Sequence, residues 1–156
     1  MLNCFVYFID NGHEEIKIGK ANRVEERRKQ GETWSSKPLV ELGRIFCDSP
    51  QQAFFLEWFL HEYFNSIRVN PDKEWFTKHP SLLEFINRYN GNHFNNIRPL
   101  IATFLHATID TNKMRWAHVI DAHDIICAYV YEILESQQFI EAYGEHDRAM
   151  VQALMC

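Results

Sequence analysis

One stretch constrains the fold of this chain more than any other. Ser49-Pro50 opens a segment running to about residue 67 in which Phe54, Phe55, Leu56, Trp58, Phe59, Leu60 and Phe64 occupy nearly every side of a helix. Serine can accept a hydrogen bond from the first turn, and proline is preorganised for the first helical position. A helix that is apolar all round must be buried, so the rest of the chain has to supply layers that cover it. The 156 residues are 46% hydrophobic and include 12 Phe, 6 Tyr and 4 Trp, enough for one such domain and an appendage. Within this helix Glu57 and His61 lie four residues apart on one face. Burying an unpaired carboxylate is costly, so Glu57 is expected to be protonated, paired with a cation or bound to a metal. His61 either packs with a hydrogen bond or moves a proton.

Strand patterns precede the helix. Residues 4–9 form an apolar, β-rich run, Asp10-Asn11-Gly12 supplies turn chemistry, and residues 15–19 alternate in the strand period, which predicts a hairpin. Asn22 with Glu25 resembles a capping box that opens a short charged helix ending near Gly31, and residues 38–47 form a third strand candidate. After the buried helix come a turn at Asn70-Pro71-Asp72, a short extended piece at Glu74-Trp75-Phe76, and a helix over residues 81–89 capped by Ser81. The run Asn90-Gly91-Asn92 leading to Pro99 is the best linker candidate. Residues 100–109 and 114–143 show helical spacing, with Trp116, Val119, Ile120, Ile126, Val130, Ile133 and Leu134 forming an apolar stripe. The expected architecture is α+β: a small three-stranded antiparallel sheet flanked by helices (1–90), a linker (91–99) and an acidic helical extension (100–156).

Charge is partitioned along the chain. The formal net charge is −5, yet residues 1–99 balance at 13 basic and 13 acidic, so 3 basic against 8 acidic residues in 100–156 carry the whole excess. Between Lys17 and Arg44, eight basic residues face four acidic ones, a local +4. The longest apolar run, residues 125–131, is far below the roughly 18 residues of a membrane span, and the first ten residues lack a basic n-region. A cytoplasmic location with no membrane partner is expected. Cys4, Cys47, Cys127 and Cys156 make no C-x-x-C pair and read as reduced, mostly buried thiols.

Two further groups carry chemistry. The hairpin places Tyr7 and Lys17 on neighbouring strands. Either they decorate the surface, or a shared face lets the ammonium draw the phenol towards neutrality and makes it a general base. Arg23 and Arg27, four apart near a helix N-terminus, form either a solvated charged face or a phosphate-seeking ridge.

Taken together, Phe5-Val6-Tyr7, Lys17-Ile18-Gly19-Lys20, Arg27, Glu57 with His61, and Glu74-Trp75-Phe76 resemble the GIY-YIG nuclease superfamily, in particular its phage and mobile-element branch with a K-I-G second motif. The resemblance covers about residues 4–78. It implies a divalent-metal endonuclease acting on double-stranded DNA, with Tyr7 activating water, Lys17 assisting it, Arg27 holding the scissile phosphate and Glu57 ligating Mg²⁺ or Mn²⁺. Lys20, Arg23, Arg28 and Lys29 would contact DNA. Phe5 stands where the family name has glycine, Lys17 where it has its second tyrosine, and Gly31 where some members carry histidine. His61 is the candidate replacement for that histidine as a proton-transfer group.

The extension resembles nothing specific. His106, His118, Asp121, His123 and Asp124 invite a metal-site reading, and His123-Asp124 spells the HD dipeptide, without the separated ligands such hydrolases need. Its acidity disfavours DNA contact, and its apolar stripe suits packing on the first domain or homodimerisation. The alternative to an active nuclease is a weak or inactive nuclease-fold protein that binds DNA or regulates a partner through this tail.

Overall fold

The structure, a computed structural model, describes residues 3–111 and 123–155, with the backbone alone at 108–111, 123, 154 and 155. It divides into two compact units, Met1–Asn96 and Ile97–Cys156.

The first unit is built on an antiparallel sheet of four strands in the order β3-β1-β2-β4. Strand β1 (Cys4–Asp10) is buried along its whole length, as expected of an apolar run covered on both faces. The turn that follows is fixed by side chains. Asp10 Oδ1 accepts from the Gly12 amide at 2.7 Å, and Asn11 Oδ1 accepts from the His13 amide at 2.8 Å. Strand β2 (Glu15–Ala21) returns against β1, pairing Tyr7 with Gly19 and Ile9 with Lys17. Strand β3 (Val40–Cys47) flanks β1 on the other side.

The expected count of three strands is corrected by β4 (Trp75–Thr77), which pairs with Glu15–Lys17 of β2. Three residues are too few for a periodic signal, so from sequence this piece reads only as extended chain.

Helix α1 (Val24–Glu32) covers one face of the sheet, where Phe5, Tyr7, Ile9, Val24 and Leu39 form a small core. Its start differs from expectation: the N-cap position is Arg23 without a side-chain cap bond, and Asn22 instead accepts from the Cys4 thiol. On the other face lie α2 (Pro50–Tyr63) and α3 (Pro80–Tyr89). Ser49 caps α2 by accepting from the Gln52 amide at 3.1 Å. The helix stops at Tyr63, and a 3-10 turn at Asn65–Ile67 completes the stretch read as one helix. The cap of α3 is His79, whose Nδ1 accepts from the Ser81 amide, in place of Ser81 itself. Within the stretch read as linker, Phe94 is fully buried and packs edge-on against Phe55.

The second unit comprises α4 (Arg98–Thr111), α5 (His123–Leu134) and α6 (Gln137–Met155), the last broken at Gly144, whose φ of +88° suits glycine. The expected continuous helix through residue 143 is interrupted at Ser136, whose hydroxyl caps α6 through the Phe139 amide. Ile126, Val130, Ile133 and Leu134 are buried, while Trp116, Val119, Ile120, His118 and Asp121 lie outside the described residues. His106 Nδ1 lies 3.0 Å from Asp147. Among the described residues no helix is long and apolar enough to cross a membrane, and Cys4, Cys47 and Cys127 are buried thiols.

Candidate active site

The β1–β2 register decides which side chains meet. Directly opposed residues share a face of the sheet, so Tyr7, opposite Gly19, and Lys17, opposite Ile9, are diagonal neighbours on the α1 side. Trp75, opposite Lys17, joins them there. Strand β4 covers only the first part of β2, leaving the edge at Gly19 and Lys20 without a neighbouring strand. The Tyr7 ring fills the space over Gly19: a β-carbon there would lie 2.5 Å from the phenol oxygen and 2.6 Å from Cζ. Glycine is therefore required at this position by the tyrosine, although its backbone conformation is ordinary.

Glu57 approaches from α2, on the opposite face. Its side chain is 12% exposed and pairs with Lys20, whose Nζ lies 3.4 Å from Oε1. Burial pushes the Glu57 pKa up; Lys20 offsets part of this, and the nearby Glu74 charge adds to it. Of the outcomes open from sequence, the structure shows a loose ion pair that leaves the buried anion undercompensated. The Lys20 ammonium also sits 5.0 Å from the centre of the Phe54 ring.

His61 is occupied structurally. Its Nε2 lies 2.9 Å from the Ile18 carbonyl, which requires the proton on that nitrogen, and its ring packs on Phe76 at 5.3 Å. Burial lowers its pKa to about 4, so the ring is neutral near pH 7. This geometry supports the packing role over the proton-transfer role: the histidine fixes the strand that carries Gly19.

In the free protein the Tyr7 pKa is shifted upward, away from neutrality. Burial raises it, Lys17 and Arg27 pull it down, and Glu74 and Glu57 push it up again. The sequence pointed to Lys17 as a neighbour but gave no measure of burial, and Tyr7 is only 3% exposed. Lys17, Arg27, Glu57 and Glu74 thus all lie near enough to Tyr7 to act on its charge. Lys17 itself pairs with Glu74 at 3.2 Å. Arg27 is exposed, and its side chain makes no hydrogen bond or ion pair among the described residues. Of the residues expected to contact DNA, Arg23 pairs with Glu26 at 2.9 Å and Arg28 with Glu32 at 2.6 Å, while Lys29 is exposed.

Residues 4–90, which contain every member of this cluster, match the T5orf172 domain. That is 87 of 156 residues, more than half the chain. The chain belongs to the T5orf172 domain family. No curated protein and no solved structure matches it.

In this T5orf172 domain the sequence reading left two residues without a role. Glu74 was visible only as part of a three-residue motif, and its place beside Lys17 depends on β4 docking on β2. Gly19 reads from sequence as a motif letter, whereas its function is to admit the Tyr7 ring. Among the described residues no group of three or more His, Cys, Asp or Glu side chains could hold a metal ion. Glu57 with Glu74 nearby is the carboxylate pair best suited to a cation. Burial and the nearby Glu74 charge penalise the Glu57 carboxylate, and Mg²⁺ commonly takes only one or two protein carboxylates, keeping water and phosphate as its other ligands.

Proposed function

We propose that residues 4–90 form a divalent-metal-dependent DNA endonuclease of the GIY-YIG kind, hydrolysing phosphodiester bonds at the Tyr7–Glu57 cluster. The observation that carries this reading is the seating of the Tyr7 phenol over Gly19, at an open sheet edge, within a cluster that also contains Lys17, Arg27 and Glu57. The T5orf172 match is compatible with a nuclease or DNA-related role.

Phosphodiester hydrolysis needs an activated water, neutralisation of the phosphate oxygens and stabilisation of the leaving oxygen. Arg27, exposed and uncommitted to a carboxylate, is the residue to hold the scissile phosphate. Glu57, with Glu74 beside it, would hold Mg²⁺ or Mn²⁺, which when bound supplies positive charge to the phosphate oxygens and offsets the two carboxylates. Burial is the largest influence raising the Tyr7 pKa and persists in the complex; Glu74 and Glu57 add to it, so offsetting their charges removes only that part of the penalty and leaves Lys17 and Arg27 to work against burial alone. The Tyr7 phenol would first release its proton to solvent; the phenolate, steadied by Lys17, would then accept the proton of the attacking water and return to phenol.

The test is nicking of supercoiled plasmid with Mg²⁺ or Mn²⁺. Wild-type protein should nick, Glu57→Ala should lose cleavage by at least about a hundredfold, and Tyr7→Phe should lose cleavage while keeping DNA binding. Equal nicking by all three proteins would sink the proposal. A second reading, a binding module that turns over poorly, is favoured by one observation: Lys17 and Lys20 are both tied to carboxylates. Wild-type binding without nicking, at any pH up to 9 or so, would select it.

A further inference from the structure

A hollow of about 410 Å³ opens on the α1 side of the sheet, walled by Tyr7, Lys17 and Arg27 from the cluster and by Trp34 and Trp75. Its volume lies in the range of small-molecule sites, roughly 300–1,000 Å³. Ile9 and Leu39 give it an apolar floor. Trp34 follows α1 and is 90% exposed, so the fold makes almost no use of its indole. Trp75 is half-buried beside Lys17, on the same face as Tyr7. An apolar floor and two indoles do not suit a phosphate. They suit a flat aromatic ring, and Arg27 at the rim is the group a phosphate attached to that ring would meet.

We propose that this hollow seats an unpaired nucleobase next to the scissile phosphate, stacked on Trp34, so that the preferred substrate is DNA with a locally unpaired nucleotide. The inference rests on the nuclease reading above and adds its substrate class. A base inside an intact duplex is paired and stacked on both faces and enters a recess only by flipping out at a cost of a few kcal/mol, whereas one in a gap, flap or bubble enters at the least cost. Every base presents a π-face, so recognition by indoles tolerates any sequence. The exposure of Trp34 also makes it a clean probe, because its removal leaves the packed core untouched.

The experiment measures binding without turnover, using the full chain with EDTA present and fluorescence anisotropy on two labelled DNAs: a matched duplex and the same duplex carrying a short mismatch bubble. Wild-type protein should prefer the bubble by about tenfold, in keeping with the loss of one stacked base. Trp34→Ala should lose that preference while holding its duplex affinity within about twofold, and Trp34→Phe should restore most of it. Equal wild-type affinity for the two DNAs, or a preference that survives Trp34→Ala, overturns the inference and leaves the nuclease proposal standing. Failure to bind either DNA, together with failure to nick plasmid, overturns both.

Discussion

Gly19 and His61 show how the residues around Tyr7 divide the work of holding the site. With 2.5 Å between a hypothetical Gly19 β-carbon and the Tyr7 oxygen, Gly19→Ala must push the phenol off its seat. A displacement on the order of 1 Å at a reacting group costs about a hundredfold, so the variant should remain folded by circular dichroism yet lose that much cleavage. His61 has a different signature. Its pKa falls from the ordinary 6.5 to about 4 on folding, so the unfolded chain takes up a proton that the folded one refuses. Stability is therefore full above pH 6.5 and declines as pH falls towards 4, by on the order of 3 kcal/mol at 1.36 kcal/mol per pH unit. His61→Gln can still donate to the Ile18 carbonyl but does not titrate. Urea midpoints between pH 7 and pH 4.5 should fall less steeply in the variant than in wild type, and parallel acid limbs would contradict the assignment.

At the scale of elements, legibility followed length. The buried helix α2 declared itself through large apolar residues on every side and a Ser-Pro start, and the β1–β2 hairpin through its turn and alternation. Short elements did not. Strand β4 is three residues long and needs the edge of β2 to exist, so Glu74 and Trp75, quoted only as letters of a motif, reached the site without an assigned role. Caps were legible where the side chain had no better offer. Ser49 bonds the Gln52 amide as its position suggests, whereas Asn22 is drawn to the Cys4 thiol and leaves the start of α1 to Arg23. Stability measurements can separate these two cases. Ser49→Ala should lower unfolding free energy by about 1 kcal/mol, and Asn22→Ala by less than about 0.5 kcal/mol, both read from urea titrations. An equal loss in the two variants would restore the capping role to Asn22.

For the whole molecule, the partition of charge was visible in the sequence but its local cancellation was not. Eight basic residues between Lys17 and Arg44 suggested a strong phosphate-seeking face. The fold pairs five of them: Lys17 with Glu74, Lys20 with Glu57, Arg23 with Glu26, Arg28 with Glu32, and Arg44 with Glu41 and Glu25. The Lys37 ammonium donates to the Gly12 carbonyl at 3.0 Å. Arg27 and Lys29 are left without an ion pair among the described residues. Exposed pairs of this kind are weak and can open, yet each carboxylate stays beside its cation, and a phosphate that takes the cation must lie next to an anion. On this stretch the number of phosphates neutralised is therefore set by Arg27, Lys29 and Lys37, the cations with no carboxylate beside them among the described residues, and not by the count of basic residues. Each neutralised phosphate contributes about 0.9 to the slope of log affinity against log salt. Duplex binding measured without divalent metal should show a slope near −3, and Arg27→Gln, Lys29→Gln or Lys37→Gln should each flatten it by about 0.9. A slope of about −6 or steeper would mean that DNA strips the lysines and arginines from their carboxylates, making the face far more basic in the complex than it is in the free protein.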